Sequence, residues 1–340
     1  MEIRVPLDDE SYLTAAQDWD GVVRAVGEKK PRLEALARRA FVEDDRASWE
    51  EAQRLLYLFN VEDLERRGSV TEPTRLLRQI LRNILVELED AAAKPPPRLK
   101  CLDRFTSEAA IQELYDFAKG HRINSHPLLQ HMSRNGLRND GVRLFLENYY
   151  VNNRVFHLQI AALSLSSPLA LRGEMYRNLN DELGHAVRES AHPVIFLRNF
   201  NSIGRPTVIE PIAESLHLLN SKVYACFLCG DFRVGVGGMG FLELTMPAQM
   251  QQIHDGLRKS GLPEEDLEFW PLHVAIDERH GEDWFQEMRE VIETPEDALR
   301  ALKGGLRVLD ARARFYDGVW NRLPERAARR EPAPAAAEIQ

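Results

Sequence analysis

The sequence predicts an all-α protein on three observations. Apolar residues recur at three- and four-residue spacing through most of the chain, and the stripe Leu77, Ile80, Leu81, Ile84, Leu88 is the clearest case. Helix-start signatures open several segments, best at Thr294-Pro295-Glu296-Asp297, where a capping hydroxyl precedes a proline and two acids. No segment shows the apolar–polar alternation of a half-buried strand.

Taken in order, residues 1–94 read as amphipathic helices, with Leu33, Leu36, Ala37 and Ala40 on one face and Leu55, Leu56 and Phe59 on another. They carry no constellation of histidines and acids, so they read as a helical accessory region that packs on the rest of the chain or on a second copy. Pro95-Pro96-Pro97 cannot continue a helix and marks a boundary. Beyond it, Glu108 to Lys119 is one helix. Arg138 to Ser164 reads as a long one, with Phe145, Tyr149, Phe156, Ile160 and Leu163 near one face. Pro168 starts a helix expected to run through residue 192, kinked where Pro193 disfavours helical geometry in its predecessor. Ile209 to Asp231 reads as a single helix.

Gly235-Val236-Gly237-Gly238-Met239-Gly240 satisfies G-x-G-x-x-G but lacks the preceding strand of a dinucleotide fingerprint. A flexible turn delivering Glu243 is the expectation there. Cys226-Phe227-Leu228-Cys229 reads as buried free thiols. Pro263 begins the next helix, and the one capped by Thr294 runs to about Leu323. Residues 324–340, rich in Ala, Pro and charge, read as a disordered tail.

The net charge of −9 argues against a nucleic-acid partner and against an anionic membrane surface. No apolar run reaches the roughly 18 residues of a membrane span, and the acidic first ten residues show no signal-peptide core. Three cysteines make no disulfide framework. A cytoplasmic protein is the expectation.

The chemistry concentrates in a few segments. His273, Asp277 and His280 form H-x3-D-x2-H, and at about 100° per residue these positions share one helical stripe. Two imidazoles and a carboxylate make a ligand set suited to iron, manganese or zinc. Upstream, Glu182, Glu189 and His192 stand at i, i+7 and i+10, again one helical stripe. Glu243 is an acid among apolar neighbours and needs a partner, for which a metal is a common choice. Four carboxylates balance two divalent cations, and carboxylate-rich clusters between facing helices are how diiron bundles are built. Zinc hydrolysis fits less well, because zinc sites use about three or four protein ligands. The competing reading is a metal-free helical binding protein whose acids are merely solvated.

With Asn178-Leu179-Asn180-Asp181-Glu182-Leu183-Gly184, then Glu189-x-x-His192, Glu243 and His273-x3-Asp277-x2-His280, the chain resembles the heme-oxygenase-like diiron oxidases. The resemblance implies a heme-oxygenase-like seven-helix bundle over residues 100–323. It also implies two Fe(II) ions, O2 as co-substrate and an external reductant. It sets His192 and Glu182 with His280 on one side of the cluster, Glu243 and Asp277 as bridging or shared, and His273 on the second iron. Choosing Glu182 over its neighbour Asp181 rests on the resemblance alone. Glu189 and the N-terminal region are similar to the branch that N-oxygenates amines, amino acids or guanidines in natural-product pathways, with that region forming a homodimer. The other branch, oxidative C–C lyases and desaturases of amino or fatty acids, is the alternative. His185 is expected either to hydrogen-bond to a ligand or to replace one. Tyr149, Tyr224 and Trp270 are candidates for the substrate pocket.

Overall fold

A computed structural model describes residues 1–65 and 70–323; the tail expected over 324–340 lies outside them. The helices are α1 (Trp19–Phe41), α2 (Arg46–Glu65), α3 (Glu72–Ala92), α4 (Ser107–Gly120), α5 (Pro127–Asn135), α6 (Asn139–Asn153), α7 (Phe156–Ser166), α8 (Leu169–Glu182), α9 (His192–Phe196), α10 (Ala213–Val223), α11 (Phe232–Lys259), α12 (Phe269–Met288) and α13 (Pro295–Arg322). The only strand pair among the described residues is a parallel two-residue contact between β1 (Glu2–Ile3) and β2 (Val208–Ile209). The all-α expectation holds. Among the described residues no helix is long and apolar enough to cross a membrane.

The first three helices bury a core of their own. Leu33, Leu55, Leu77, Leu81 and Leu85 fill it, and the Asp18 and Thr71 side chains cap α1 and α3. α3 stops at Ala92, before the prolines. This layer packs on α10 and α13. Asn60 Nδ2 donates to Asn220 Oδ1 at 2.9 Å, and Asn220 Nδ2 donates to Gln53 Oε1 at 2.9 Å. Lys303 Nζ meets Asp90 at 2.8 Å, and Arg307 pairs with Glu89.

α11, α12 and α13 make the centre of the second core. The glycine run lies inside α11 rather than in a turn, which corrects the expectation from sequence. A Cβ on Gly237 would sit 2.0 Å from the Ala301 carbonyl oxygen, and one on Gly304 would sit 1.9 Å from that of Val234. The glycines therefore let α11 and α13 cross with their backbones touching. This contact outweighs glycine's helix penalty of about 1 kcal/mol.

Three expected helices break. The 138–164 helix divides at Arg154–Val155, where Arg154 is drawn to the Tyr57 hydroxyl at 2.8 Å and to Glu65 of α2. The 209–231 helix is α10 alone, followed by a π-helical turn over Tyr224–Leu228. The helix expected through residue 192 ends at Glu182. Gly184, His185 and Ala186 then take φ of 63°, 52° and 65°, a left-handed run that unwinds it. A Cβ on Gly184 would lie 2.3 Å from the Ser190 carbonyl carbon, so only glycine fits there. The chain makes a 3-10 turn at Arg188–Ser190 and re-enters a helix at His192, with Pro193 in its first turn.

Candidate metal centre

Four helices deliver the site. α12 runs unbroken through its motif, and His273, Asp277 and His280 are all buried. α8 brings Glu174, Asn178, Asp181 and Glu182, also buried. α11 brings Glu243 and α9 brings His192.

Glu182, His192 and His273 form the tightest group, with one ligand atom from each lying within 4.8 Å of the others. Glu182 Oε1 stands 3.0 Å from His192 Nδ1 and 3.7 Å from His273 Nε2. The Phe269 carbonyl, 2.7 Å from His273 Nδ1, fixes that proton and leaves Nε2 free as a donor atom. Burial alone would raise the Glu182 pKa, but the two imidazoles more than reverse it and hold the carboxylate ionised.

Beside them, Glu243 and Asp277 face each other closely enough to share a proton. Burial pushes both carboxyl pKa values up. Glu182 adds repulsion to each, and Glu243 adds it to Asp277. One shared proton stabilises the pair, and a divalent cation would do so more completely.

His280 is gripped from both sides, its Nδ1 2.7 Å from Glu174 Oε1 and its Nε2 2.9 Å from Asp181 Oδ2. Glu174 also accepts from Arg177 Nε at 2.8 Å, and Asp181 from Arg279 Nη2 at 3.1 Å. A carboxylate on one imidazole nitrogen, here Glu174, is how histidine ligands are oriented, with the other nitrogen directed at the metal position; here that nitrogen lies against Asp181.

The donor set fits a metal. Glu182 Oε2, His192 Nδ1 and Asp277 Oδ2 are buried without hydrogen-bond partners. The Glu182–His192 approach is short but lacks hydrogen-bond geometry. Unpaired buried polar atoms are costly, and three of them on neighbouring ligand residues fit cation coordination. Hard carboxylates mixed with imidazoles suit iron.

The structure thus brings together Glu182, His192 and His273, sets the Glu243–Asp277 pair beside them, and places His280 between Glu174 and Asp181. It does not bring in Glu189, which is exposed in the 3-10 turn because the helix that would carry it inward stops at Glu182. His185 is also outward, its side chain 69% exposed, 3.2 Å from Asp181 and 2.6 Å from Asn180. It meets Asp181 at the edge of the centre and reaches none of Glu182, His192 and His273. Sequence reasoning missed Glu174, gave Asn178 no role and passed over Asp181 in favour of Glu182. The signal was present, since Glu174-x3-Asn178-x2-Asp181 repeats on α8 the spacing of the α12 motif.

A cavity enclosing about 480 Å³, mouth included, opens against this wall. Glu182, Glu243, His273 and Asp277 line one part of it, and Tyr149, Lys222 and Arg312 line another. Two expected pocket residues lie elsewhere. Trp270 donates its indole N–H to Asn199 Oδ1 at 2.7 Å, and the Tyr224 ring lies under Arg307.

The sequence profile of a family described as iron-containing redox enzymes matches residues 143–313, which include every buried residue of the centre. The chain is 24% identical over 205 residues to the 4-chloro-allylglycine synthase of Streptantibioticus cattleyicolor, covering 58% of this chain and 78% of that protein. The crystal structure of a CADD-like protein of unknown function from Nostoc punctiforme PCC 73102 superposes with a TM-score of 0.53 at 13% identity, over 64% of this chain and 98% of that one. A domain of unknown function with a heme oxygenase-like fold from Shewanella denitrificans OS217 gives a TM-score of 0.48 at 18% identity, over 66% and 94%. With its buried carboxylate–imidazole centre inside the matched segment, the chain belongs to the family of iron-containing redox enzymes.

Proposed function

We propose that the chain is an O2-activating non-heme diiron oxygenase acting on a small amine, amino acid or guanidine-type molecule in a natural-product pathway. The observation that carries this is the cavity wall: Glu182, Glu243, His273 and Asp277 face the cavity, with buried ligand atoms of Glu182 and Asp277 left unpaired. Two ferrous ions held there would supply the electrons and open coordination positions that O2 chemistry needs. Glu182, His192 and His273 form one donor group. Glu243, Asp277, Asp181 and His280 would supply the second, with Glu174 holding His280 in orientation. Burial of the whole centre keeps bulk water from the reacting atoms.

N-oxygenation is supported by the likeness of the N-terminal layer to the N-oxygenating branch, and not by Glu189, which is exposed in the 3-10 turn. The name of the Streptantibioticus relative, whose product is an unsaturated amino acid, favours a second reading: oxidative cleavage or desaturation of an amino-acid carbon chain. We read the protein as a cytoplasmic homodimer served by an external reductant.

The test is anaerobic Fe(II) loading followed by metal analysis, then O2 consumption with a panel of amines and amino acids. About two irons per chain and a product with oxygen on nitrogen support the first reading. A product shortened in carbon or poorer in hydrogen supports the second. A chain that holds no stoichiometric iron is a metal-free binding protein, and both readings fall.

A further inference from the structure

Lys222 of α10 is 3% exposed and lines the cavity. Its ammonium stands 5.0 Å over the Phe156 ring, and among the described residues no carboxylate pairs with it. Arg312 of α13 is 4% exposed and lines the same cavity. It donates from Nε to Gln249 Oε1 at 2.9 Å and from Nη2 to the Tyr149 hydroxyl at 3.1 Å, both neutral acceptors. Arg312 is thus also without an acidic partner among the described residues.

Two buried cations on one cavity wall repel each other. Burial, followed by the Arg312 charge, pushes the Lys222 pKa down to about 7. A methionine would fill the same apolar bed beside Phe156 without that cost. Glu182 and Glu243 lie close enough to act on the ammonium electrostatically but do not pair with it. The missing element is an anion inside the cavity. A carboxylate suits the space, since its two oxygens can accept from an ammonium and a guanidinium at once.

We propose that Lys222, with Arg312, anchors a carboxylate of the substrate and so determines which end of it meets the wall of Glu182, Glu243, His273 and Asp277. The anchor's chemistry stands on the cavity alone; its role in orienting a reacting group rests on the function proposed above. Lys222 is a specificity-determining residue and not a ligand.

The probes are hexanoate, 1-hexanol and hexylamine, titrated calorimetrically into the full-length, chelator-treated chain, where no metal competes for the carboxylate. Hexanoate is expected to bind at least about tenfold tighter than hexanol, and hexylamine not measurably. Lys222→Met should erase the hexanoate preference, and Lys222→Arg should keep most of it. Removing a buried unpaired charge leaves Lys222→Met folded, which a thermal melt confirms. Equal binding of hexanoate and hexanol by the wild type overturns the proposal, as does an undiminished hexanoate preference in folded Lys222→Met. Iron content of the same proteins separates the two readings. A Lys222-dependent preference without iron binding removes the oxygenase and keeps the anchor. Iron binding without the preference does the reverse.

Discussion

On α12, His273, Asp277 and His280 stay on one buried stripe because the helix runs unbroken from Phe269 to Met288. The segment facing it begins in the same way. Glu174, Asn178 and Asp181 repeat that spacing on α8 and are buried to the same degree. After Glu182 the two diverge, because three successive left-handed residues unwind the second segment, leave Glu189 in solvent, and return His192 to the centre on a new helix. Spacing measured in residues converts to direction only while the 3.6-residue period persists. His192 reaches the site through a turn and Glu189 does not, although both were placed by one helical rule.

The largest effects should come from the unbroken side. His273→Ala or His280→Ala is expected to lower iron content from about two per chain to one or fewer, with at least a hundredfold loss of O2 consumption. Metal analysis after anaerobic loading reads the first and an oxygen electrode the second. Wild-type iron content in either variant would mean that the α12 stripe does not ligate.

Gly184→Ala tests the turn. A Cβ there meets the Ser190 backbone and the residue has φ of 63°. We expect a loss of about 2 kcal/mol or more in urea unfolding, together with weaker iron binding, because His192 would be displaced. An unchanged denaturation midpoint would show that the turn is not needed to place His192.

Asp277→Asn should separate stability from metal binding. In the metal-free protein the Glu243 and Asp277 pKa values are raised, so the folded state holds a proton that the unfolded chain releases. Stability of the metal-free protein should therefore fall as pH rises from the unfolded carboxylate range, about 4, through the raised values, and level off above them. Asp277→Asn should flatten this slope, stabilise the metal-free protein at pH 7 by about 1–2 kcal/mol, and bind iron poorly. Loss of stability in the variant would mean that the two carboxyls do not oppose each other.

Glu189→Gln should do least. An exposed carboxylate that reaches none of the buried ligand atoms should leave iron content unchanged and stability within about 0.5 kcal/mol. Iron loss in this variant would restore the single-helix picture of residues 169–192.

Much was legible in advance where one helix carried the whole pattern. The all-α class, the α12 motif, the Thr294 capping box and the helix from it to Arg322 follow from periodicity and end signals, which are local properties of the chain. Glu243 was found as an acid among apolar neighbours, although its setting was misjudged. Glycines read as flexible in isolation, but Gly237 and Gly304 are held rigid by a neighbouring helix more than 60 residues away in sequence.

The sequence by itself determined which side chains were available and, on α12, which way they point, because helical geometry needs no partner to orient a stripe. Only the tertiary structure decided that Glu182 and His192 meet across a broken helix, that Glu174 and Asp181 grip His280, and that Lys222 and Arg312 share the cavity with the carboxylates. Those pairings come from packing between segments distant in the chain, and no local periodicity encodes them.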